Sequence, residues 1–569
     1  MPPDTNATAG DVPARTKSLW DQDEVARWLN RGEWAVAIAV TLFLILLHVH
    51  GAFSFGALWR DEVNSVNVAT MPTWSQVWRW KEFDSYPMLW FVILRIWQVL
   101  AGASDTSWRV LGALMGVTSI GALWWSARRM GYTIPLISLT LLAMNPSVLR
   151  WGDSMRAYGI GATLVVVTFA ATWSALQSPT RRRLALAAVC SILCAQALYL
   201  NAVFLAAIQL AAIAVALRRR QWKLAATFAA IGAVAAASLL PYLPTIVRTS
   251  HWNMLLKLDS VGGLIWVMVS TTAGGGSTAI FWLWVVLPLA AVGAALFLIL
   301  RKKRSGDVTD LAIYCMITLG AGAKGFFWFL SILSYPTHPW YYLGLLTIMC
   351  ITTETFLLKL VSLPKIQFWR LALAAIIALI LWNKDRSAMD YLQTDLDLVA
   401  HQVESVARSD DLVVIMPWYF GITFSRYYHG PAAFLTVPPV SDHRTHRYDL
   451  FKEFMVRDDP LRELKDEITN TLKSGKRVIV VGSVDIPFRG APDVSVPVAP
   501  DRNIGWGGGT YEAGWSLQTA RFLRVHATKA WMLPAYRSRP VSNYEHAVAA
   551  VYEGWRRDPA TSGTARAGQ

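Results

Sequence analysis

The sequence predicts a polytopic α-helical membrane protein that ends in a soluble α/β domain, and three observations predict it. Of 569 residues, 54% are hydrophobic and 16% charged, with a mean hydropathy of +0.35. A soluble domain carries about a quarter charged residues. Apolar stretches long enough to cross a bilayer recur from residue 34 to residue 382. After 383 the chain turns polar and shows short strand-like runs instead.

Charge divides the chain at the same place. Residues 1–382 carry 30 Lys and Arg against 16 Asp and Glu, whereas 383–569 carry 23 against 22. The excess of +15 therefore belongs to membrane loops and is no nucleic-acid footprint; a nucleic-acid partner is excluded.

Residues 1–33 are polar and include Asp4, Asp11, Asp21, Asp23 and Glu24, which reads as a cytoplasmic segment and not a cleavable signal peptide. The first span is expected over Trp34–His50. Further spans are expected near 108–127, 132–149, 158–177, 184–200, 202–217, 223–243, 280–300, 310–333, 340–360 and 367–382, about eleven in all. The stretch Pro87–Gly102 is expected to lie along the outer face. That choice places Arg128-Arg129, Arg181–Arg183, Arg218–Arg220, Arg301–Arg304 and Lys359/Lys365 all on the cytoplasmic side. It gives a multi-pass protein of the inner (plasma) membrane with its N-terminus inside. The transmembrane domain is then 34–382, with an outer loop over 51–107, and 383–569 is extracytoplasmic.

In that tail, Asp411–Met416 and Arg477–Gly482 read as buried strands with a helical pattern over 448–474 between them, hence an α/β domain with a partly parallel sheet. Trp506–Gly509 is glycine-rich but is expected to be a plain loop, with no strand before it or helix after it. The four cysteines, Cys190, Cys194, Cys315 and Cys350, all fall in apolar spans without a CxxC motif, so zinc sites and a disulfide framework are disfavoured.

The outer loop carries the chemistry. Between the first span and residue 382 there are ten acids, and Asp61, Glu62, Glu82 and Asp84 are four of them. Charge is costly near a membrane, so the concentration marks a site. Trp74, Val77, Trp78, Trp80 and Phe83 form an amphipathic pattern suited to the interface, and Arg79 and Lys81 set cations at headgroup depth. Carboxylates and cations together can seat a lipid phosphate beside a general base. Other ionisable residues are expected to be structural. Lys324 and Glu354 form a pair or snorkel, Asp153 stands behind Arg156 or in solvent, and His251 and His338 are isolated interface residues. The apolar segment 252–272 is a candidate lid.

An ordered set of motifs spans about 100 residues. It runs from Asp61-Glu62 through Asp84-Ser85-Tyr86-Pro87-Met88-Leu89, Ser107-Trp108-Arg109 and Asn145-Pro146-Ser147 to Arg156-Ala157-Tyr158. The set resembles the GT-C superfamily of membrane glycosyltransferases, within it the protein O-mannosyltransferase-like and aminoarabinose transferase-like group (glycosyltransferase families 39 and 83). Tyr86 stands where that pattern has His and Met88 where it has a second Pro, a departure that counts against a metal and against a protein acceptor. The resemblance implies a polyprenyl-phosphate sugar as donor. It implies as acceptor a cell-envelope lipid, glycan or protein at the outer face of the bilayer. It implies Asp61 as general base and Arg156 as phosphate ligand, with Glu62, Lys81, Asp84, Tyr86, Arg109 and Tyr158 binding substrate or phosphate. The resemblance fixes no cofactor and leaves room for a divalent metal. Two other classes compete: a lipid or glycan carrier or flippase, which should show charged or broken helices at mid-membrane, and a non-catalytic assembly subunit, which would tolerate loss of Asp61.

Overall fold

The computed structural model describes residues 22–84, 86–250, 260–300, 306–359, 366–482, 494–534 and 538–556. Most of the N-terminal segment, the Arg301–Arg304 cluster, Lys365, His251 and the first part of 252–272 lie outside them.

Eight helices among the described residues are long and apolar enough to cross a membrane, fewer than the expected eleven spans. The first, α1 (Gln22–Ser54), extends the expected span at both ends. Helices over Arg181–Ala197 and Ile366–Met389 occupy two more expected spans. The expected span 132–149 is not one helix. A π-helical turn, Ser138–Ala143, ends at a break, and a short helix restarts at Pro146. The reason is local. Pro146 has no N–H to give and sits at the first helical position, while the Asn145 side chain accepts the Ser147 and Val148 N–H groups at 2.9 and 3.4 Å.

Between α1 and the next spanning helix the chain makes three short helices: α2 (Arg60–Ala69), α3 (Trp74–Trp80) and α4 (Met88–Ala101). Thr73 caps α3, where Val77 is buried while Trp74 and Trp78 stay about half exposed, as an interfacial helix requires. With 14 residues, α4 is about 21 Å long, short of the ~30 Å hydrocarbon core. After α5 (Asp105–Met130), α6 (Pro146–Gly152) turns through a corner at 153–157 into α7 (Tyr158–Gln177). Gly159 makes that corner possible, because a Cβ there would meet the Gly152 carbonyl oxygen at 2.0 Å.

The C-terminal domain is built on a five-stranded sheet of β1 (Leu412–Met416), β2 (Ala433–Thr436), β3 (Arg477–Gly482), β4 (Ala527–Met532) and β5 (Val548–Trp555), in the order β2-β1-β3-β5-β4. β1 pairs in parallel with β2 and β3, and β5 runs antiparallel to both of its neighbours, β3 and β4. β1 is buried along its whole length because helices cover both faces. Val413 and Ile415 pack with Leu396, Phe420 and Phe424, and Val414 and Met416 with Phe451, Leu464 and Trp515. The pattern over 448–474 is two helices, Tyr448–Met455 and Arg462–Lys473, separated around Pro460. The glycine-rich run is not followed by loop. Gly508 opens a helix to His526, because Tyr511, Trp515, Thr519 and Leu523 bury one helical stripe that outweighs the poor helix propensity of glycine.

Two intramembrane expectations also change. Glu354 is fully buried but pairs with Arg370 at 3.3 Å and accepts the Ile137 and Ser138 N–H groups, while Lys324 is exposed. Asp153 is neither exposed nor behind Arg156; it binds His48 Nδ1 at 2.8 Å inside the bundle.

Candidate active site

Consecutive residues in a helix point about 100° apart, and that separates the two acids opening α2. Glu62 points into the protein. It meets Arg109 at 3.0 and 3.2 Å and accepts the N–H groups of Met155 at 2.9 Å and Trp59 at 3.3 Å. Arg109 spends its other N–H groups on the Gly56 and Ala57 carbonyls. Both side chains are buried and saturated by protein partners. They tie the start of α2 to α5 and to the 153–157 corner.

Asp61 points the other way, toward Arg156. The guanidinium donates from Nη1 to the Asp61 carbonyl at 3.0 Å, and its Nη2 lies 3.6 Å from the Asp61 carboxylate. The same Nη1 lies 3.4 Å from Asp84, whose other oxygen accepts from Ser65 Oγ at 2.5 Å. Arg156 is thus a cation shared by two carboxylates. Its guanidinium carbon stands 4.8 Å from the Tyr86 ring and 6.0 Å from the Tyr158 ring, and those rings meet edge to face. Five expected site residues, Asp61, Asp84, Tyr86, Arg156 and Tyr158, are therefore together. Lys81 is not with them. It is buried against Thr245, at 3.1 Å, and over the Trp78 and Tyr242 rings.

Access distinguishes the two carboxylates: the Asp61 side chain keeps 15% of its surface exposed and that of Asp84 keeps 1%. Burial pushes the Asp61 carboxyl up, but Arg156, His446 and Arg60 outweigh it and hold the group well below the usual carboxylate range. Asp61 is a carboxylate at any physiological pH, and a weak base while Arg156 stays in contact.

The C-terminal domain closes over the same helix. His446 Nε2 lies 3.2 Å from Asp61 Oδ1, and the His446 N–H donates to Asn64 at 2.9 Å. Asn67 donates to the Arg444 carbonyl, and Arg444 and Arg447 cover the Trp80 ring. Arg60 stacks on Tyr419 at 4.3 Å, and its N–H donates to Glu545. From the last part of the bundle, Tyr341 and Trp340 approach Tyr158 at 6.0 and 6.3 Å, and His338 stacks on Trp340 at 4.5 Å. Sequence reasoning left out His446, Arg60, Tyr341 and Glu545. A signal existed for the first: His443-Arg-Thr-His-Arg447 gathers two imidazoles and two cations in a tail otherwise near neutral.

Among the described residues no three His, Cys, Asp or Glu side chains gather as a metal site. Between Asp61 and Asp84, the place a divalent ion would take is filled by Arg156. These residues do not fit a metal there.

No known family profile matches this chain, and no curated protein matches it. Solved structures do. The chain is similar to ArnT from Cupriavidus metallidurans bound to undecaprenyl phosphate, with 15% identity over 79% of this chain and 93% of that one, TM-score 0.45. It is similar to the oligosaccharyltransferase AglB from Archaeoglobus fulgidus in complex with an inhibitory peptide and a dolichol-phosphate, with 12% identity over 78% and 69%, TM-score 0.43. A third likeness is to the mycobacterial arabinofuranosyltransferase AftD, with 14% identity over 94% and 40%, TM-score 0.40.

Proposed function

We propose that the protein is a membrane glycosyltransferase that moves a sugar from a polyprenyl-phosphate donor to an acceptor hydroxyl at the extracytoplasmic face. One observation carries this reading: a buried arginine held between two carboxylates and two tyrosines, in the stretch between the first apolar helix and α7. A guanidinium so placed matches a phosphate group, which it binds through paired hydrogen bonds.

The geometry supports the following sequence of steps. The lipid phosphate approaches Arg156 and draws it from Asp61, with Asp84 retaining the other side of the guanidinium. Asp61, relieved of its strongest cation, gains basicity and takes the proton of the acceptor hydroxyl. The acceptor oxygen bonds to the anomeric carbon, the bond from that carbon to phosphate oxygen breaks, and its electron pair leaves with the prenyl phosphate, stabilised by Arg156. A single displacement inverts the anomeric configuration. Tyr86 and Tyr158 orient the phosphate, Glu62 and Arg109 hold the loop in place, and Lys81 anchors it to the segment around Thr245.

The test compares the purified protein's affinity for undecaprenyl phosphate with that for undecaprenol. The reading predicts clear preference for the phosphate and loss of that preference in Arg156→Ala. Equal binding of both lipids would remove the phosphate site.

A further inference from the structure

The C-terminal domain touches the acid proposed as base, and the contact is unusually well fixed. The His446 ring stacks on Tyr448 at 5.6 Å with a 10° angle and meets Trp418 edge-on. The backbone N–H of His446 donates to Asn64 Oδ1 on α2, one turn beyond Asp61. On its far side Nδ1 is buried without a partner, while Nε2 faces Asp61 Oδ1 at 3.2 Å. A carboxylate accepts only, so the hydrogen must sit on Nε2. The loop bearing His446 is braced by Arg447, which binds Asp442 and Asp449 at 2.7–2.8 Å.

We propose that His446 is a positioning residue of the transfer site: its Nε2–H holds Asp61 so that Asp61 keeps a partner when a lipid phosphate takes Arg156 away. The inference rests on the proposed donor site. Without that hydrogen bond, Asp61 would satisfy itself by keeping Arg156, and the incoming phosphate would compete against a stronger hold. The C-terminal domain thereby acts in donor capture through α2, without touching the lipid.

The experiment measures undecaprenyl phosphate binding to the full chain, with undecaprenol as control. His446→Ala should weaken binding of the phosphate about tenfold, the scale of one hydrogen bond to a charged group. His446→Gln, whose amide nitrogen reaches the Nε2 position, should stay within about twofold of the wild type, while the shorter His446→Asn should behave as alanine does. In an Asp61→Asn background the alanine substitution should have no further effect, because the acceptor it served no longer carries charge. Thermal unfolding identifies a variant that fails to fold, and the glutamine–asparagine contrast is then read in place of alanine. Unchanged affinity in both His446→Ala and His446→Asn would overturn the role. So would a loss that persists undiminished with Asp61→Asn, since that would be a purely structural effect. If the wild type does not prefer the phosphate to undecaprenol, the donor site itself fails, and this role fails with it.

Discussion

Arg156 holds Asp61 by two of its atoms, from Nη1 to the backbone carbonyl at 3.0 Å and from Nη2 toward the carboxylate at 3.6 Å. The first contact ties the arginine to the helix and survives any movement of the Asp61 side chain. The second is the one a phosphate can replace. Arg156→Ala should therefore lower undecaprenyl phosphate affinity by about one to two decades, as expected for a charge-assisted bond of roughly 1.5–3 kcal/mol. Arg156→Lys should keep part of it, as a point charge without the paired donors. A titration following tryptophan fluorescence measures this; equal affinities in all three proteins would take Arg156 out of the site.

Removing charge from the other side should do the opposite. Asp61→Asn no longer competes for the guanidinium, so the same titration should show undecaprenyl phosphate bound more tightly than by the wild type. Weaker binding would mean that Asp61 supports the lipid site and does not oppose it.

Glu62 is adjacent in sequence and different in kind. Glu62→Gln leaves the Arg109 guanidinium buried without its counter-charge, which costs about 3–5 kcal/mol. Thermal unfolding in detergent should show a large loss of stability, and transfer per folded molecule should persist. An unchanged melting temperature would contradict the strut.

Glu545 gives stability a pH dependence. Burial pushes its carboxyl up to about 7, against the partial relief from Arg60 and Thr423. Below the ordinary value of 4.5 folded and unfolded chains both hold this proton. As pH rises toward 7 only the folded chain keeps it, so the stability it contributes is fully present below 4.5 and is lost as pH passes 7. The size is on the order of 3 kcal/mol. Glu545→Gln should flatten the unfolding profile over that window. A profile as steep as that of the wild type would show that Glu545 is not its source.

Much of this arrangement was legible in the sequence, and the rest was hidden for physical reasons. Hydrophobicity marks spans well, but Asn145-Pro146 breaks one of them by backbone chemistry that an apolar count passes over. The rarity of acids near the membrane singles out Asp61 and Asp84, and the ordered motif set ending in Arg156-Ala157-Tyr158 supplies Arg156. Adjacency in sequence does not separate Glu62 from Asp61, whereas the helix sends them to different faces and gives Glu62 to Arg109 and Met155. His446 and Asp61 are 385 residues apart, and no local pattern records that approach. Trp340 and Tyr341 frame Tyr158 from a distant part of the chain, and no local pattern records that approach either.

The membrane arrangement has its own test. Thr106 is exposed at the start of α5, beside the C-terminal domain contact of Asp105 with Arg426. With the charge clusters cytoplasmic, Thr106→Cys should react with a membrane-impermeant thiol reagent in intact cells, over a background set by four buried native cysteines. Reaction only after the membrane is opened would reverse the orientation.

The central claim is that Asp61 deprotonates the acceptor in a sugar transfer from a lipid phosphate. Mass spectrometry of envelope glycans and lipid-linked sugars, in cells carrying the wild type, Asp61→Asn or no copy of the gene, tests it most directly. A general base contributes about 10²–10⁴ in rate. The Asp61→Asn cells should therefore lack the same glycan modification as the gene-less cells and accumulate the same prenyl-phosphate sugar, although the variant protein is folded and binds the lipid. A wild-type glycan profile in the Asp61→Asn cells would contradict the account.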